Sequence, residues 1–230
     1  MKINLASSNP ALVSIFNTPD QIITLDANFL IPPDRSRFRV QAFPFDKFCQ
    51  IWLDPIFETF PNLAIHEAVY EEIVINTVKT YIDKNINKNP PGLFVHRDSS
   101  LSEKEKLIRD SIENKIYPYT KYDPLLDNKN DRGEVKSLAY IAVKELLYFA
   151  ANDSNALQLI EKAEEWKTSL DNVQAIQMYE LIFYLYRTDK SPKGGLRNLY
   201  RYQYHLTKNE KRTNPAWGEF IDTMNSLYRE

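Results

Sequence analysis

Cysteine is almost missing from this chain: Cys49 is the only one in 230 residues. That excludes an intrachain disulfide framework and any zinc site built on several thiolates, and a reducing, cytoplasmic location is expected. Long apolar runs are missing too. No stretch approaches the roughly 20 apolar residues that a membrane span requires. Met1 to Asp20 carry one lysine, several polar breakers and no extended apolar core, so they do not read as a secretory leader. There is no strong excess of one charge. A formal net charge of -2 with 26% charged residues describes a mixed surface, so any polyanion site has to be local. No internal repeat or low-complexity tract is found. His66, His96 and His205 lack metal-ligand spacing, and no Ser, His and Asp set sits in an identifiable elbow. What is present is a 43% hydrophobic composition, enough for one sizeable core with a modest extension.

Gln21 to Ile31, QIITLDANFLI, is an apolar, β-branched run that meets an aspartate, as expected of a buried strand ending at a polar site. Pro32 and Pro33 stop it. From Phe45 to Phe60 apolar residues recur at helical spacing, with Pro55 bending or dividing the helix. A short apolar link, Leu63 to Ile65, leads into a second helix over His66 to Ile86. Leu93 to Val95 is a short strand, and Ser100 or Ser102 starts a charged helix through Asn114. Tyr117 to Asn130 reads as an irregular connection into a helix from Arg132 to Leu147, with Asp131 as its N-cap. Leu147 to Ala151, AsnAspSerAsn and Ala156 to Trp166 read as strand, polar turn and helix. Val173 to Ile176 adds a strand and Gln177 to Tyr186 an apolar helix. This alternation predicts an α/β fold with a parallel sheet covered by helices.

Beyond Tyr186 the composition changes, which divides the chain into a domain over 1–186 and a helical extension over 187–230. Between Arg187 and Arg212 stand Arg187, Lys190, Lys193, Arg197, Arg201, Lys208, Lys211 and Arg212 against Asp189 and Glu210, about six net positive charges. Gly194 and Gly195 read as a hinge. Tyr200, Tyr202 and Tyr204 interleave with Arg197 and Arg201. Such a segment can stack bases and hold phosphates of a single strand, or be an ordinary amphipathic helix with a solvated basic face. Trp217, Phe220, Ile221, Met224 and Leu227 form the apolar face of a last helix.

In an open α/β sheet the ligand site lies at the carboxyl ends of the strands, where Asp26 and Asp153 fall. Glu134 stands in the first turn of a helix, where unpaired N–H groups favour a carboxylate. Glu71 and Glu72 lie one turn into their helix, and only one of them can face the sheet. Each acid has a plain structural reading: a turn residue for Asp26, a helix start for Glu134, a solvated face for Glu72, an N-cap for Asp153. Only the set points to chemistry. Four carboxylates in one crevice repel by roughly 4 kcal/mol per pair at 4 Å and an effective dielectric near 20, so convergence would call for a cation.

ThrLeuAspAlaAsnPheLeuIle around Asp26, HisGluAlaValTyrGluGluIle around Glu72, AspArgGlyGluVal around Glu134 and AlaAlaAsnAspSerAsnAla around Asp153, in that order and at those separations, resemble the PIN domain family. These are metal-dependent nucleases that include toxin ribonucleases of bacterial toxin-antitoxin pairs. The resemblance covers roughly Gln21 to Tyr186. It implies a three-layer domain with a parallel sheet between helices, Asp26, Glu134 and Asp153 as ligands of Mg2+ or Mn2+, and Glu72 as the acid from the second helix, with Glu71 as the fallback. It implies RNA as substrate, an antitoxin as a partner and a homodimer. The chain departs from the family at His66, where many relatives have proline, in the long connection from Leu93 to Asn130, and in the basic tail. Asn155 either caps the following helix or supports a metal. A scaffold that keeps the fold but only binds RNA or protein, and a nuclease acting on single-stranded or branched DNA, are the alternatives.

Overall fold

The computed structural model describes residues 2–152 and 154–229. The chain forms two compact units that interleave along the sequence: a sheet unit of Gln21–Ile31 and Pro61–Ile176, and a helical unit of Met1–Asp20, Pro32–Phe60 and Gln177–Glu230. The composition break after Tyr186 lies inside the helical unit. Strands are β1 Ile23–Leu25, β2 Leu63–His66, β3 Phe94–His96, β4 Tyr148–Ala150 and β5 Gln174–Ile176. The α-helices are α1 Pro10–Asn17, α2 Phe45–Phe48, α3 Asp54–Thr59, α4 Glu67–Glu72, α5 Asn76–Ile86, α6 Glu103–Ile116 and α7 Arg132–Val143. They continue with α8 Ser154–Glu161, α9 Ala163–Trp166, α10 Met178–Arg187, α11 Lys193–Tyr204, α12 Glu210–Thr213 and α13 Trp217–Leu227. No helix is long and apolar enough to cross a membrane among the described residues.

In the sheet unit the five strands pair in the order β3-β2-β1-β4-β5, every pair parallel. Ile23 stands opposite both Leu63 and Tyr148, and Leu25 opposite Ala150. The central β1, β2 and β4 are buried throughout, whereas the edge strands β3 and β5 are partly open. That is why the central strands read as unbroken apolar runs. The α/β architecture is as expected, with one strand more than the sequence reading supplied: Leu63 to Ile65 is not a link but, together with His66, forms β2. Four residues are too few for a periodicity to show, and only pairing on both sides identifies them.

The helix expected over His66 to Ile86 is divided into α4 and α5. Ile73 and Ile75 take extended backbone between them, the conformation that a β-branched Ile-Val-Ile run favours. α6 begins at a capping box in which Ser102 Oγ accepts from Glu105 N and the Glu105 carboxylate accepts from Ser102 N. Leu101, Ile112, Ile116, Leu138, Phe149 and Leu159 share one buried cluster, which ties α6, α7 and α8 to the sheet.

The helical unit shows how one proline is accommodated. Pro55 has no N–H for Ile51 O, four residues back. The backbone there widens into a π-helical turn over Cys49–Leu53, and Ser191 Oγ donates to Ile51 O at 2.7 Å. α11 then packs so close that a Cβ at Gly195 would meet Ile51 Cγ2 at 2.4 Å. Gly194 and Gly195 therefore lie in the first turn of a helix, not at a hinge; the second is small because Ile51 leaves no room.

The remaining core of this unit is aromatic. Phe16 stacks on Tyr184 with centroids 4.7 Å apart, and Tyr200 on Phe220 at 4.5 Å. Tyr200 and Tyr204 are buried, and Tyr200 donates to Pro215 O. Tyr202 donates to Gln41 O and meets Phe43 edge-on. These rings are packing groups of an amphipathic helix, and base stacking on Tyr200 and Tyr204 is excluded by their burial. Arg35 is buried against Glu210, which also accepts from Leu206 N and Thr207 N.

Candidate active site

Strand order 3-2-1-4-5 reverses direction between β1 and β4, and ligands of open parallel sheets sit at the carboxyl ends of the strands at such a switch point. Asp26 is there. It follows the last residue of β1, is 3% exposed, and donates its N–H to Ala150 O of β4. It occupies the N-cap position of a single 3-10 turn over Ala27–Phe29, and its side chain does not cap that turn. Across the switch point Asn152 N donates to Asn28 Oδ1 at 3.3 Å. Asp153, the expected acid after β4, lies outside the described residues. Its successor Ser154 opens α8.

The other two acids meet at the start of α7. α4 packs against both the 27–29 turn and α7, and it ends at Glu72, whose carboxylate accepts from Gly133 N at 2.8 Å. A Cβ on residue 133 would stand 2.8 Å from Glu72 Oε2, so glycine is what lets the carboxylate approach. Glu71 points elsewhere: it is exposed and paired with Arg132 at 2.8 Å, whose Nε also donates to Asp127. Glu72 is thus the inward member of the pair. A helix of six residues has too few turns for sequence spacing to settle that.

Burial pushes the Glu72 carboxyl up to about 7, with Glu134 and Asp131 adding to the shift and the Gly133 N–H and Arg132 opposing it. This is a carboxyl held between its protonated and ionised forms at neutral pH by a dry setting and two neighbouring acids. Asp131 stands at the N-cap position of α7 in the left-handed region, φ 53°, without capping. Its carboxylate instead accepts from Lys121 N and, at 3.4 Å, from Asn155 Nδ2. Asn155 therefore reaches from the start of α8 to the start of α7. A cleft of about 240 Å³ opens beside Glu72, lined also by Glu71, Asp127, Lys129 and Arg132.

A second group was not foreseen. His66 at the end of β2, its neighbour Glu67, and Asp98 beyond β3 each offer an atom within 4.8 Å of the others. His66 Nδ1 accepts from Ala68 N, which leaves Nε2 to face Asp98 Oδ1 at 3.3 Å. Glu67 accepts from Asp98 N and lies 3.9 Å from Arg97, and Asp98 is 3.6 Å from Arg109. Burial would raise the Asp98 carboxyl, but His66 and Arg109 hold it below its usual range. The signal is the adjacency of β2 and β3, which a link over Leu63 to Ile65 and a helix starting at His66 do not reveal. Among the described residues Asp26, Glu72 and Glu134 do not bring one oxygen each within that same 4.8 Å of one another.

Compared with family models, curated proteins and solved structures, the chain matches none of them.

Proposed function

We propose that the sheet unit is a PIN-type, divalent-metal-dependent endoribonuclease. One observation carries the reading: Asp26 is buried at the switch point of a 3-2-1-4-5 parallel sheet, α4 packs on the turn that follows it, and Glu72 at the end of α4 meets the start of α7, where Glu134 stands. The donor chemistry fits Mg2+ or Mn2+, since every candidate ligand is a carboxylate oxygen. Asp26, Glu134 and Asp153 would hold the ion and Glu72 would complete the site. When bound, such an ion would neutralise charge on the scissile phosphate and favour ionisation of the attacking water to hydroxide. Glu72 would stand beside the ion as the carboxylate supplied by the second helix. Gly133 N–H keeps its carboxylate in place, and Arg132 holds Glu71 away from it.

Exposed Val74, Leu107, Leu125 and Leu126 give a protein partner apolar surface. An antitoxin or a second copy of the chain is the partner proposed, within the cytoplasm. Incubation of the chain with mixed RNA and Mn2+ tests the function: cleavage is expected, and it should vanish with a chelator and in Asp26→Asn. Wild type and variant leaving RNA equally intact would sink the proposal. Single-stranded DNA added in competition separates RNA from DNA as substrate.

A second reading, an inactive scaffold that binds RNA or protein, is favoured by the spread of Asp26, Glu72 and Glu134 beyond a common 4.8 Å. It predicts RNA binding with no thermal shift on addition of Mn2+.

A further inference from the structure

Lys193 at the start of α11 is paired with Asp189, whereas four later cations of α11 and α12 are not paired with an acid among the described residues. α11 buries Leu196, Leu199, Tyr200, Gln203 and Tyr204, which turns Arg197 and Arg201 outward, both exposed. Arg197 and Arg201 are one turn apart, about 6 Å along the axis, and His205 follows just past the end of α11. His205 lines an open groove of about 660 Å³ together with Lys211, Arg212, Asn214 and Glu219. Lys211 and Arg212 are exposed as well. Glu210, the single acid between 197 and 212, is turned inward onto Arg35. Among the described residues, Arg197, Arg201, Lys211 and Arg212 take part in no ion pair. By contrast, Arg132 and Arg109 of the sheet unit each meet two or more carboxylates.

We propose that the face of the helical unit carrying Arg197, Arg201, His205, Lys211 and Arg212 binds the sugar-phosphate backbone of single-stranded RNA. A row of separated charges suits a repeating polyanion better than a point anion, and guanidinium forks match phosphate oxygens. Because Tyr200 and Tyr204 are buried, the contact is made by charge without base stacking, and it is independent of sequence. The choice of RNA over another polyanion rests on the nuclease reading of the sheet unit.

Binding of a fluorescent oligouridine to the intact chain, in chelator so that no cleavage intervenes, is followed by anisotropy over a range of salt. The variants are Arg197→Ser with Arg201→Ser, and separately Lys211→Ser with Arg212→Ser. All four positions are exposed, and unchanged melting temperatures will show that the fold is kept. Each pair is expected to weaken binding about tenfold and to lower the slope of log affinity against log salt by about 1. Mixed-sequence RNA should compete as well as oligouridine. Affinity and slope unchanged in both pairs would overturn the proposal, and so would equal competition by polyglutamate of the same length. Loss of cleavage with this binding intact removes the nuclease reading alone; cleavage without any effect of these variants on binding removes this inference alone.

Discussion

The sheet unit carries 15 Lys and Arg against 20 Asp and Glu, the helical unit 14 against 11, and the two use their minority charge in opposite ways. In the sheet unit arginines are tied down by acids: Arg132 by Glu71 and Asp127, Arg109 by Asp98, Asp110 and Glu113. Asp26 is buried just past the end of β1, and Glu72 lies against the start of α7, close to Glu134. Among the described residues of the helical unit, Glu180 and Glu210 are the buried acids, while Arg197, Arg201, Lys211 and Arg212 remain at the surface. A near-neutral chain of 230 residues with net charge -2 therefore divides into an acidic sheet unit and a basic helical unit. Whole-chain charge averages away the features that matter.

The comparison breaks most sharply at Glu210. Glu210→Ala leaves Arg35 buried without its carboxylate, and a loss of about 3–5 kcal/mol in unfolding free energy is expected, measured by denaturant titration. A loss under 1 kcal/mol would mean that the pair is solvated.

Glu180 sharpens it next. Burial raises its carboxyl to about 7, against the Gln177 N–H and the Asn9 side chain, which lower it. The folded state keeps a proton that the unfolded chain releases above its ordinary value of 4.5. The stabilising contribution is therefore complete below pH 4.5 and is lost as pH rises to about 7, by an amount on the order of 3 kcal/mol. Glu180→Gln should reduce that slope in melting experiments run from pH 4 to 8, leaving the part that Glu72 contributes over the same range; an unchanged slope would contradict the assignment.

Asp26→Asn is expected to lower the rate of Mn2+-dependent RNA cleavage roughly 100-fold or more while leaving salt-dependent RNA binding as it is. Equal losses of cleavage and binding would collapse the distinction between the units. Smallest is Gly195→Ala, whose Cβ would collide with Ile51; a loss of about 1–3 kcal/mol is expected, read as a lower melting temperature.

Much of the sheet unit was legible because its signals are local. β1 with Asp26, the capped α6, α7 and β4 all follow from apolar runs, caps and polar stops. β2 was not, since four residues carry no period, and its absence hid the His66, Glu67 and Asp98 group. The break between α4 and α5 has neither proline nor glycine to announce it. Glu72 over Glu71 depends on helix rotation, which packing against Gly133 decides. In the helical unit Gly195 and Tyr200 were misread or left open for the same reason: a glycine at a close approach looks like a hinge, and a buried tyrosine looks like a stacking platform. Tertiary contact alone separates these meanings.

The most direct test of the acidic centre is a crystal structure of the chain soaked in Mn2+, with anomalous density used to place the ion. Density among Asp26, Glu134 and Asp153, with Glu72 alongside, is the predicted result. An ion bound by His66, Glu67 and Asp98 instead, or none anywhere on the sheet unit, would contradict it.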